Sequence, residues 1–132
     1  MATTLFPATR NAACNTIVDL VDAGDSAGEI EIRDGTSVLV TFTCDDPAFG
    51  SASLGSATLE GTPLQAIATG TGEADNFRVL DSDGNVIWSG DVVQGNPSSP
   101  TSDTLTLDNT SINSGQTVTI TSYTFTVPGT SA

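Results

Sequence analysis

Residues 104–127, TLTLDNTSINSGQTVTITSYTFTV, place apolar side chains two apart at Leu105 and Leu107, at Val118 and Ile120, and at Tyr123, Phe125 and Val127, with Thr at almost every position between. A period of two fits pleated strands with one dry face and one wet face, and does not fit a helix. The intervening DNTSINSGQ is turn chemistry. The apolar positions are even at Val118 and Ile120 but odd from Tyr123 onward. A straight strand through Thr121 and Ser122 would therefore turn half of this set to solvent, which predicts a β-bulge or a sheet-switching corner there.

The rest of the chain must supply surfaces for these strands. Residues 1–6 form an N-terminal arm without internal pattern, read either as a frayed end or as a strap onto a neighbour. Residues 8–23 predict a helix with Ala13, Ile17, Leu20 and Val21 as its apolar stripe and Gly24 as its left-handed stop. Asp19 and Asp22 lie at the end where the helix dipole disfavours them, so packing of the stripe must hold the helix.

GEIEIRDGTSVLVTFTC reads as a hairpin. A three-residue Asp34-Gly35-Thr36 loop with a bulge at Gly35 pairs Ile30 with Val40 and Ile32 with Val38, which gathers the apolar set on one face. DDPAFGSASLGS is a loop anchored by Phe49, and ATLEG and LQAIATG are short strands of weak register. NFRVLDSDGNVIWSG is a second hairpin, in which an Asp83-Gly84 turn pairs Val79 with Trp88 and Leu80 with Ile87. Apolar residues on both of its faces place it centrally in a sheet or under cover on both sides. The expected fold is mainly β, an antiparallel β-sandwich or jelly-roll-like domain spanning residues 1–132, with one N-terminal helix, strands within 28–127 and a tail at 128–132.

Charge narrows the function classes. The formal net charge of −13 comes from 16 acidic residues against Arg10, Arg33 and Arg78. Three scattered arginines cannot provide the basic footprint that nucleic acid requires, nor bind an anionic lipid surface, so neither nucleic acid nor membrane is expected as a partner. No apolar run approaches membrane-spanning length, and no signal peptide is read at the N-terminus. The strong acidity suits solubility at high copy number, a salty medium or a cationic partner surface.

The residue inventory is equally restrictive for chemistry. The chain has no His and no Lys, which removes imidazole bases, Ser-His-Asp arrangements, most zinc sites, Schiff bases and P-loops. Asp45 with Asp46, and Glu29 with Glu31, are the carboxylate pairs left for acid-base work; solvated charge is the plainer reading of both. No catalytic residue, no cofactor and no metal is expected. Asp81, Asp83 and Asn85 have the alternate spacing that opens a calcium loop, but Gly84 comes too early and Val92 stands where a bidentate Glu is needed. Cys14 and Cys44 read as small buried hydrophobes in a reducing compartment. Asn109-Thr110-Ser111 matches the glycosylation pattern and reads as a turn.

Four segments, RNAACNTIVDLVDAG, DPAFG, FRVLDSDG and LTLDNTSINSGQTVTITSYTFTVP, together give the chain a resemblance to small β-rich virion proteins of tailed bacteriophages. Many members of that group carry a longer insertion where this chain has only Asp34-Gly35-Thr36. The resemblance implies a non-enzymatic head decoration, or cement, protein bound to the capsid exterior. It implies the major capsid protein as partner, a homotrimer at three-fold positions, and synthesis in the host cytoplasm. Thr3, Thr4, Leu5 and Phe6 of the arm are the candidate contact residues. The alternative is a tail- or fibre-associated structural or glycan-binding module; for glycan binding Trp88 and Tyr123 would be the stacking residues, although both also fit the core pattern.

Overall fold

The structure is a computed structural model in which residues 7–24, 26–45, 47–53, 55–95, 104–107 and 109–126 are described. The fold is mainly β with one helix, as the alternation predicts. Helix α1 (Pro7–Val21) is followed by β1 (Glu29–Asp34), β2 (Ser37–Thr43), β3 (Ser56–Thr58), β4 (Leu64–Ile67), β5 (Gly72–Glu73) and β6 (Asn76–Leu80). Then come β7 (Val86–Gln94), β8 (Thr104–Leu107), β9 (Ser111–Ile112), β10 (Thr117–Ile120) and β11 (Thr124–Thr126). A five-stranded sheet in the order β2-β1-β6-β7-β8 is accompanied by three two-stranded pairs, β10-β4, β11-β3 and β5-β9. Among the described residues the strand pairings are antiparallel except β7 with β8, which is parallel.

The helix is held as its poor capping requires, by packing, but on a stripe rotated from the predicted one. Cys14, Val18 and Val21 are buried, Ala13 and Ile17 are partly buried, and Leu20 is 47% exposed. Positions 14, 18 and 21 follow the spacing of a single helix face, and the sheet selects that face over the equally apolar neighbouring one. Its last turn tightens, with the Asp22 and Ala23 N–H groups bonded to the carbonyls of Asp19 and Leu20. Gly24 is not a left-handed stop. A Cβ there would lie 1.8 Å from Ser82 Oγ, so the glycine is needed for close approach of the β6–β7 loop.

In the first hairpin the expected single apolar face forms, by a different device. Asp34 pairs with Ser37 across a two-residue Gly35-Thr36 turn, and the register shifts between Ile32 and Arg33. Ile30 therefore faces Phe42 and Ile32 faces Val40, all four buried. The predicted Ile30–Val40 and Ile32–Val38 pairs do not occur, and Val38 is 37% exposed. The extra residue that preserves the face is Leu39 in β2, buried where the chain approaches Gly70 and Gly72. In the second hairpin Val79 pairs with Trp88 as predicted, while Leu80 pairs with Val86 because the register shifts after Val79. This hairpin lies inside the sheet, β6 between β1 and β7.

The C-terminal strands change partner at the parity break. β10 pairs with β4 and β11 with β3, so residues 121–123 form a corner between two sheets. Val118, Ile120, Tyr123 and Phe125 are all buried as a result, while the predicted re-entry of Val127 lies outside the described residues.

Aromatic side chains from distant elements meet at this corner. Phe49 packs on Trp88 and Tyr123 with ring centroids 5.5 and 6.1 Å apart, Phe77 on Tyr123 at 5.4 Å, and Trp88 on Phe125 at 4.3 Å. Trp88 Nε1 donates to Tyr123 Oη at 3.0 Å, giving the indole N–H a partner inside the core. We expect Phe49→Ala to lower the unfolding free energy by about 3–5 kcal/mol. Tyr123→Phe, which takes the acceptor away from the Trp88 N–H, is expected to lower it by about 1–3 kcal/mol. Urea titration followed by the fluorescence of the chain's one Trp measures both; an unchanged midpoint for Phe49→Ala would contradict its anchoring role.

Candidate functional site

Among the described residues, those singled out from sequence do not converge on one place. Asp81, Asp83 and Asn85 share the β6–β7 loop, but the loop is built on the Asp81 carboxylate. Asp81 Oδ1 accepts the N–H groups of Asp83 and Asn85 at 3.0 and 2.9 Å, and Oδ2 accepts the Asn85 side-chain amide at 3.0 Å. These donors, the Asn85 amide foremost, hold the Asp81 carboxyl below the usual carboxylate range. Both carboxylate oxygens thus already act as acceptors within the loop. Among the described residues, no group of three or more His, Cys, Asp or Glu side chains could hold a metal ion.

Glu29 and Glu31 lie on the outer face of β1, where Glu31 stands opposite Thr41 and Arg78. Asp45 lies against the backbone of Gly61, whose φ of 73° and lack of a Cβ allow the approach, and Asp46 lies outside the described residues. The four arm residues Thr3, Thr4, Leu5 and Phe6 lie outside them as well. Tyr123 is 1% exposed, and Trp88 is half-buried and packs on Phe49 and Phe125 in the aromatic cluster.

Sequence reasoning missed a set of polar side chains that tie loops to elements. From the helix, Asn11 Oδ1 accepts Gly55 N–H at 2.7 Å and Asn15 Oδ1 accepts Ala52 N–H at 2.9 Å, and from the turn just after it Asp22 Oδ1 accepts Ala48 N–H at 3.0 Å. The i, i+4 spacing of Asn11 and Asn15 puts both on one helix edge, a signal visible in the sequence once the helix is assigned. At the tip of the first hairpin, Asp75 Oδ1 accepts Gly35 N–H at 3.0 Å, and Asp34 Oδ2 accepts Glu73 N–H at 3.2 Å. Arg33, buried at 8% exposure, donates from Nη2 to the Thr36 carbonyl at 3.0 Å. The Gly35 N–H, then the Asn76 amide, pull the Asp75 carboxyl below its ordinary range. Buried Thr110 donates from Oγ1 to Glu73 Oε1 at 2.7 Å, and Asn109 Oδ1 accepts Ser111 N–H at 2.9 Å, which makes the glycosylation match a local turn.

Cys14 and Cys44 are free thiols in the core. Burial raises both, and Cys44 is pushed up to about 12 by burial first and then by Asp22, Glu29 and Asp45. Such thiols are poor nucleophiles at neutral pH. A small half-open pocket of about 120 Å³ between β8 and β10 is lined by Leu107, Asn109, Gln116, Thr117, Val118 and Thr119. It is smaller than the ~300–1,000 Å³ typical of small-molecule sites, and its lining carries no ionisable group. No helix among the described residues is long and apolar enough to cross a membrane.

Comparison with family models, with curated proteins and with solved structures gives no match. The class defined by the structure is accordingly a β-rich domain with one helix, without assignment to a family.

Two pH-dependent outcomes follow. An unfolded Cys ionises near pH ~8.5, whereas folded Cys44 keeps its proton up to about 12, so its contribution is fully present below the first value and is lost as pH rises toward the second. Cys44→Ala should therefore show a shallower alkaline loss of stability than the parent. Both thiols in the parent should react with a disulfide reagent only on unfolding. Asp81 behaves oppositely: its depressed carboxyl contributes stability above the unfolded value of ~3.9, and that contribution is lost as pH falls through the folded value. Asp81→Asn should melt lower at neutral pH and lose less stability in acid, as read by thermal unfolding across a pH series.

Proposed function

We propose that this chain is a structural protein of a phage virion, a head decoration protein that binds the capsid exterior and stabilises capsomer junctions. The observation that carries the proposal is where the potentially chemical side chains are used. Asp22, Asp34, Asp75 and Asp81 accept backbone N–H groups that hold loops in place, and the two thiols are buried and protonated. A protein whose task is to present a fixed surface at high copy number has this allocation of polar groups. It also suits a non-enzymatic role.

The charge distribution supports the same reading. Arg33 is buried and the Arg10 side chain lies over Gly55, which leaves Arg78 on an outer sheet face otherwise supplied with Glu29, Glu31 and Asp91. Such a surface repels packaged nucleic acid and keeps an abundant protein soluble. In this proposal the partner is the major capsid protein and the bound form is a homotrimer. Binding stabilises the shell by mass action, because the protein prefers assembled capsomers to separated subunits. Several copies that clasp one another gain avidity from contacts on the order of 800 Å² each.

Sedimentation with undecorated capsids at physiological salt tests this. The expected result is co-sedimentation at hundreds of copies per head, with the decorated shells melting at higher temperature than bare ones. Failure to bind would overturn the proposal, and a few to tens of copies located at the tail would favour a tail-associated role instead. Deleting residues 2–6 should weaken capsid binding at least tenfold while leaving the thermal midpoint of the isolated protein unchanged; equal binding by the deletion variant would remove the arm from the contact.

A further inference from the structure

We draw no further inference here: the strongest candidate, the half-open seam between β8 and β10 lined by Leu107, Gln116 and Val118, is an unpartnered strand edge, and nothing in the structure shows what covers it.

Discussion

The contact between Trp88 and Tyr123 joins parts of the chain that are far apart in sequence. Trp88 comes from the central hairpin, Tyr123 from the corner between β10 and β11, Phe49 from a loop without regular structure, and Phe77 from the middle strand of the large sheet. In a domain with few aromatic residues and a modest apolar fraction, large rings contribute much of the buried area per residue. Placing them at the corner fixes the one point where the C-terminal strands leave one sheet and join another. The hydrogen bond matters as much as the packing, since an indole N–H without a partner in the core would oppose the burial that the rings favour.

Around this cluster the fold depends on side-chain acceptors rather than on long ladders. Six of the described strands lie in isolated two-stranded pairs, four of them only two or three residues long, and short pairs are marginal by themselves. The Asn11, Asn15 and Asp22 bonds to the 48–55 segment, and the Asp34 and Asp75 bonds at the hairpin tip, give those connections fixed positions. The same bonds explain how a chain of net charge −13 stays folded: several carboxylates meet N–H dipoles rather than one another. A molecule organised in this way presents a rigid anionic surface, which is the property that the proposed capsid role calls upon.

Much of the architecture was legible in the sequence wherever a period of two extended over enough residues. The parity change at Thr121 and Ser122 located the corner, and the Val79–Trp88 pairing followed from a DG turn. Where the pattern admitted a one-residue slip, reasoning from pattern found the constraint but not its solution. The first hairpin keeps Ile30, Ile32, Val40 and Phe42 on one face through an extra residue at Leu39 rather than through a longer loop, because glycines at 70 and 72 make room for that side chain. The helix face went the same way, with Cys14 and Val18 chosen over Leu20. Of the candidate site residues, Asp81, Asp83 and Asn85 do share a loop, but their bonds are to one another and to the backbone.

By itself the sequence determined the β class, the helix near the N-terminus, the switch of sheets near Tyr123 and the strong excess of negative charge. Each of these rests on local alternation, on turn residues or on total charge, which are properties of the chain before it folds. Only the tertiary structure decided which helix face is buried, where the hairpin takes its extra residue, and that the acidic side chains serve as acceptors within loops. Those outcomes depend on neighbours remote in sequence, 26 residues apart for Asp22 and Ala48 and 41 for Asn76 and Gly35, and no local pattern encodes which remote group arrives.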